Sequence, residues 1–140
     1  VYYDFPLTIP ANTLELSPED LEVKLTHGVI HRVEIESPPG CAGLAYLQIH
    51  HMGHQVWPTN PGGAFNTDAH IIIIDDYFEL LGPPYVLKLR GWNLDDTYPH
   101  TITVRIGMYP AWVARAIYGP STQEERDQLR EAFNLPQGVS

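Results

Sequence analysis

The sequence predicts an all-β fold: an antiparallel, jelly-roll-like sandwich of about eight strands followed by a short C-terminal helical tail. Three observations carry that expectation. Thirteen prolines and eleven glycines punctuate the chain, the segments between them are short and rich in Val, Ile, Tyr and Thr, and several of these segments alternate apolar and polar residues with a period of two.

Taken in order, Tyr3 to Ile9 and Leu21 to Leu25 read as the first strands. Between them, Ser17-Pro18-Glu19-Asp20 has the form of a single helical turn, with Ser17 as cap and Pro18 at the first helical position. From Val29 to Ile35, the residues Val29, His31, Val33 and Ile35 fall on one face and Ile30, Arg32 and Glu34 on the other. Thr26-His27-Gly28 places a glycine where a tight hairpin needs positive φ, so Leu21–Leu25 and Val29–Ile35 are expected to be antiparallel neighbours. Leu44 to His50, Gln55 to Trp57 and His70 to Asp75 follow as further strands. Tyr85 to Gly91 sets Tyr85, Leu87 and Leu89 against Val86, Lys88 and Arg90. His100 to Tyr109 is the clearest strand, with Ile102, Val104, Ile106 and Met108 facing a core and Thr101, Thr103, Arg105 and Gly107 facing solvent. Ser37-Pro38-Pro39-Gly40, Pro58 to Gly63 and Gly82-Pro83-Pro84 are loops, because proline has no N–H to give to a ladder.

The character of the chain changes after Pro110. Ala111 to Tyr118 is a short helix candidate, and Ser121 to Phe133 a longer one with Ser121 and Glu124 as a capping box. The expected organisation is a β-sandwich with an N-terminal arm over residues 1–110 and a helical tail over 111–140, packed on the sandwich or on a neighbouring subunit. A helix whose apolar residues are only Leu129, Ala132 and Phe133 needs a surface to lie on.

At 140 residues with 44% apolar and 18% charged residues, the chain is long enough for one cored domain. Its net charge of −9 argues against nucleic acid or anionic membrane as a partner, since both are held by clustered Lys and Arg. The longest apolar run, near Ile71 to Ile74, falls far short of the roughly 20 residues that span a bilayer, so a soluble protein is expected. No basic region followed by an apolar stretch opens the chain, so a secretory signal is expected to be absent or already removed. Cys41 is the only cysteine, which excludes an internal disulfide, and no basic residue lies close enough in sequence to activate its thiol.

No catalytic signature is present, neither a Gly-x-Ser-x-Gly elbow nor a Gly-rich phosphate loop, and the expectation is a non-enzymatic protein without a cofactor. His50, His51 and His54 are close in sequence, but adjacent strand residues point to opposite faces, so His50 and His51 do not share an ion without a bulge. A cupin-like metal enzyme using His50 with His70 or His100 is the third of three readings. Asp75-Asp76 and Asp95-Asp96 are read as solvated turn residues. The second reading is a carbohydrate-binding module in which Trp57 and Trp92 stack on sugar rings; its alternative is that both plug the core. The first reading takes the aromatic N-terminus and the tail as a protein interface made of Tyr2, Tyr3, Phe5, Trp112, Ile117, Tyr118, Leu129 and Phe133, in a chain that forms homo-oligomers.

Pro38-Pro39-Gly40-Cys41-Ala42-Gly43-Leu44 and Gly53-His54-Gln55-Val56-Trp57-Pro58-Thr59-Asn60-Pro61, with Arg90-Gly91-Trp92-Asn93 and His100-Thr101-Ile102, resemble small β-sandwich structural proteins of tailed phages. The resemblance spans roughly residues 8 to 110. It implies a virion accessory protein, a capsid decoration or head-surface component that multimerises and clamps viral coat subunits, with a virion or extracellular location.

Overall fold

In the computed structural model, residues 1–118 are described, and they form eight strands and one helix: β1 (Tyr2–Ile9), β2 (Glu19–Lys24), β3 (Gly28–Ser37), β4 (Ala45–His51), β5 (His54–Trp57), β6 (His70–Leu80), β7 (Val86–Asn93), β8 (His100–Tyr109) and α1 (Ala111–Tyr118). The strands make two four-stranded antiparallel sheets, ordered β1-β8-β3-β6 and β2-β7-β4-β5. The molecule is an all-β sandwich. The helix expected over Ser121 to Phe133 lies outside the described residues.

Alternation along the strands builds the core. Ile102, Val104, Ile106 and Met108 of β8 are buried, as are Leu87 and Leu89 of β7, Leu47 and Ile49 of β4, and Leu7 and Ile9 of β1. Each such side chain taken out of water contributes about 1.5–3 kcal/mol. On β3 the expected facing is corrected. The register of β3 against both β6 and β8 shifts between Ile30 and Arg32, and a bulge there lets Ile30 join Val33 and Ile35 in the core. His31 is turned out to stack on Tyr109, ring centroids 3.9 Å apart. Val29 is buried outside the main core, as is Ala114 of α1, which packs on β3 and β8.

Two local expectations also change. β2 and β3 are not neighbours: β2 pairs with β7 in one sheet, while β3 pairs with β6 and β8 in the other. Residues 25–27 therefore carry the chain between sheets, and Gly28 is required because a Cβ there would run into the backbone carbonyl oxygen of Tyr109. The tight hairpin lies instead between β4 and β5, where Met52 (φ 50°) and Gly53 (φ 80°) both adopt the positive φ of a two-residue turn. Ser17 to Asp20 is not a helical turn. Ser17 N–H bonds to the Leu14 carbonyl, and Glu19 and Asp20 already belong to β2, where Asp20 meets Arg90 of β7 at 3.2 Å.

One end of the sandwich is closed by a polar knot. Asn93 is fully buried, and its amide nitrogen donates to the carbonyls of Ile9 (3.2 Å) and Tyr98 (2.9 Å) while its oxygen accepts from Asp95 N–H (3.0 Å). Asp95 in turn accepts from the N–H groups of Thr97 and Tyr98 and meets His100 Nε2 at 2.8 Å. Asp96 is exposed in this turn as expected, whereas Asp95 beside it is largely covered and engaged, and Asp75-Asp76 lie inside β6.

Packing of this kind makes Ile106→Ala, which empties part of a fully buried site, cost about 2–5 kcal/mol. Gly28→Ala adds only a methyl group yet costs about 1–3 kcal/mol, because the obstruction is main chain. Urea unfolding of each variant against the parent measures both; losses near zero would contradict the packing described.

Candidate functional site

The histidines considered as metal ligands are distributed rather than gathered. His50 is on β4 of the second sheet, His70 starts β6 of the first, and His100 starts β8 and is engaged by Asp95. Among the described residues no group of three or more His, Cys, Asp or Glu side chains is placed to hold a metal ion. His50 Nε2 lies 2.9 Å from Gln48 Oε1, and Gln48 Nε2 donates to the Gly63 carbonyl. That orientation makes Gln48 Oε1 an acceptor and His50 Nε2 the protonated nitrogen. Burial lowers the His50 pKa, with Arg90 and Lys88 adding to the effect and Asp20 opposing it. Cys41 is buried, and burial followed by the charges of Asp68 and Asp95 pushes its thiol pKa up, the reverse of an activated nucleophile.

The tryptophans proposed as sugar contacts have no free ring face. Trp57 is 2% exposed and belongs to the core; its indole N–H donates to Asp76 Oδ2 at 2.9 Å, tying β5 of one sheet to β6 of the other. Trp92 is 4% exposed and stacks on Tyr46, with centroids 5.3 Å apart and planes 5° apart. Stacking on a sugar needs an open face, so this assignment is corrected to interior packing.

The aromatic N-terminus divides. It is not a free arm, because β1 pairs with β8 along its whole length and Val1 bonds to Met108 in both directions. Tyr3 and Phe5 stack on each other and pack against the core of their own sandwich. Tyr2 remains exposed and donates its hydroxyl to Glu34. On α1, Trp112 and Ile117 are exposed, Trp112 at 74%, and Tyr118 is the last residue of the helix. Leu129 and Phe133 lie outside the described residues.

The surface most out of keeping with an isolated protein is an edge. Two open sheets present four edge strands, and unpaired N–H and C=O groups along such strands are templates for another chain unless blunted. β1 carries Pro6 and Asp4; β2 carries Glu19, Asp20, Glu22 and Lys24; β5 is four residues long, and Phe65 continues its line by bridging to Leu47. β6, by contrast, runs for eleven residues without proline or lysine and contains Ile71-Ile72-Ile73-Ile74. Ile72 and Ile74 pack against the core, whereas Ile71 and Ile73 face outward at 45% and 53% exposure. In the sequence the four isoleucines fall within the expected strand His70 to Asp75 and are too few for a membrane span. An uncharged run with both faces apolar was the available signal, because a strand wetted on one face does not need it.

The outer face of the second sheet holds a second feature, a cavity of about 260 Å³ lined by Glu22, His50, Met52, Pro84, Lys88 and Arg90 among others. Register places Glu22, Lys88 and His50 in one row across β2, β7 and β4. Among the described residues no helix is long and apolar enough to cross a membrane.

Fold and surface together define an all-β sandwich whose longest edge strand among the described residues, β6, carries an uncharged run of four isoleucines. Comparison with known protein families finds no family model that matches, and no curated protein matches the chain.

Two titrations test the electrostatics. The backbone N–H groups of Thr97 and the His100 side chain hold Asp95 below its ordinary pKa. A carboxyl depressed in the folded state contributes stability that is complete above its unfolded pKa and is lost as pH falls through the folded one. Acidification below the ordinary carboxylate range is therefore expected to weaken the 95–100 turn, and Asp95→Asn to remove that component from urea midpoints followed against pH. For His50, an NMR titration is expected to show a midpoint below that of an ordinary histidine, and Arg90→Met to move it upward.

Proposed function

We propose that this chain is a non-enzymatic assembly module that multimerises through the open edge of its first sheet. The observation that carries the reading is β6, the longest of the four edge strands among the described residues, whose first half carries the uncharged run Ile71 to Ile74 before Asp75 and Asp76. Strand addition to such an edge gains main-chain hydrogen bonds along the ladder and buries the alternate side chains that face outward, here Ile71 and Ile73. The charge of −9 favours protein over phosphate-bearing partners.

We further infer that the sandwich is wound as a jelly roll. Support comes from the nesting of its strand pairs, β1 with β8, β2 with β7, β3 with β6 and β4 with β5, which is the pattern of one long antiparallel ribbon rolled on itself. The resemblance to tailed-phage structural proteins carries the particular role: a virion accessory protein, a capsid decoration or head-surface component that also contacts viral coat protein. Trp112 and Ile117, exposed on α1, are the remaining residues of the proposed interface that face outward with Tyr2. Carbohydrate binding through Trp57 and Trp92 loses its stacking rings to the interior.

Light scattering of the full chain tests the assembly reading. The parent is expected to have the mass of a defined multimer, and Ile71→Lys with Ile73→Lys, which puts charge where edge strands are normally protected, to shift it to lower mass. Parent and double variant both running as monomers would end this reading.

A further inference from the structure

The partner of β6 is not left open by its sequence. We propose that it is β6 of a second copy of this chain, paired antiparallel across a two-fold axis at Ile73, so that two first sheets join into one continuous eight-stranded sheet. This deepens the assembly reading above and rests on it.

A sheet edge is extended either by the same edge of another copy or by a different one. Joining β6 to β1 head to tail closes only where the rotation completes a ring, and β1 is the edge that carries Pro6 and Asp4. β2 is lined with Glu19, Asp20 and Glu22, and in a chain of charge −9 it would set carboxylates beside Asp75 and Asp76. The self-pairing of β6 is closed and isologous, and it brings the uncharged isoleucines together.

Charge then selects the register. In a flat continuation of the sheet, outward residues meet outward residues, so the axis passes through a single residue of β6 rather than between two. Centring on Asp75 or Asp76 sets a carboxylate against its own copy, and centring on Ile74 makes two kinds of mismatch, Asp75 against Ile73 and Asp76 against Ile72. Centring on Ile72 ends the matched ladder at His70 opposite Ile74 and brings Asp68 opposite Asp76. Centring on Ile73 pairs seven consecutive residues of β6 and leaves one kind of mismatch: Ile73 meets Ile73, Ile72 meets Ile74, Ile71 meets Asp75, and His70 meets Asp76 twice over. Ile71 then sits diagonally beside the partner's Ile73, within the reach of cross-strand packing. His70 and Asp76 are both exposed. Asp76 already accepts from the Trp57 indole and from Tyr77 N–H, and a carboxylate has lone pairs left for a third donor.

Single-cysteine cross-linking of the full chain reads out this register, and Cys41 is buried and out of reach. In a glutathione redox buffer, Ile73→Cys is expected to give a disulfide-linked dimer as the main product, since its Cβ faces its own copy, while Ile71→Cys, opposite Asp75, gives at most about a tenth as much. His70→Glu, which opposes two like charges across the axis, is expected to weaken the dimer about tenfold in dilution experiments. A multimer in which Ile73→Cys does not cross-link and His70→Glu changes nothing would overturn the β6 pairing and leave assembly through another surface. Preferential cross-linking of a mixture of Ile71→Cys and Ile73→Cys over Ile73→Cys alone would overturn the register. A parent chain that stays monomeric at every concentration would remove both this inference and the assembly reading.

Discussion

Backbone hydrogen bonding is the constraint on which this structure depends. Every strand must give its N–H and C=O groups to a neighbour or to water, and a sandwich of two open four-stranded sheets satisfies all but those along its four edges. The nested strand order fulfils most of the obligation with pairings between residues far apart in the chain, such as Tyr2 with Gly107 and Glu19 with Gly91. What is left over at the edges is then a matter of side-chain choice. Proline, alternating charge and shortness deal with three of them, and β6 stands apart because none of these devices is present over its isoleucines.

The interior polar groups belong to the same economy. Asn93 is fully buried because it satisfies main-chain groups from two separate segments, the Ile9 carbonyl at the end of β1 and, in the 95–98 turn, the Asp95 N–H and the Tyr98 carbonyl. Gln55 does comparable service for the loop after β5, donating to the carbonyls of Pro58, Asn60 and Gly63 and accepting from Gly62. At the surface, Asp68 does so for the loop after β3, accepting from the N–H groups of Gly40 and Ala42. Each side chain replaces water for main chain that no ladder reaches, and a buried amide or carboxylate that lost those partners would cost more than the bonds themselves contribute. The histidines and aspartates that invite a chemical reading, His100 with Asp95 above all, are engaged in this work.

The aromatic residues show why composition alone misleads about a surface. Trp57, Trp92, Tyr3 and Phe5 occur near loops or a chain end, where rings are often recognition elements. In the folded chain they are inward or stacked, Trp57 against Phe78 and Trp92 against Tyr46. The exposed apolar groups among the described residues include Ile71 and Ile73 on the edge, Tyr2 beside Glu34, Trp112 and Ile117 on α1, and Leu14, Leu16 and Met52 in the connections before β2 and between β4 and β5. A surface of this kind is assembled from residues of separate elements, and its extent depends on which of them the core leaves uncovered.

Period-two alternation in β7 and β8, with short Val- and Ile-rich segments set off by prolines and glycines elsewhere, determines that this chain is an all-β sandwich, gives a strand at each of the eight positions and names the buried face of β7 and β8, because side-chain direction along a strand is a local property of the backbone. The loops at 37–40, 58–63 and 82–84 were equally legible, since proline's missing N–H is local too. Partnership was not. Which strand lies beside which, the bulge that moves Ile30 into the core, the separation of β2 from β3, and the identity of the unblunted edge are all relations between segments distant in sequence. A strand reads the same whether it is central or at an edge; only the folded arrangement decides which of its hydrogen-bonding sides has no strand beside it among the described residues, and for β6 that side is where the function proposed for this protein resides.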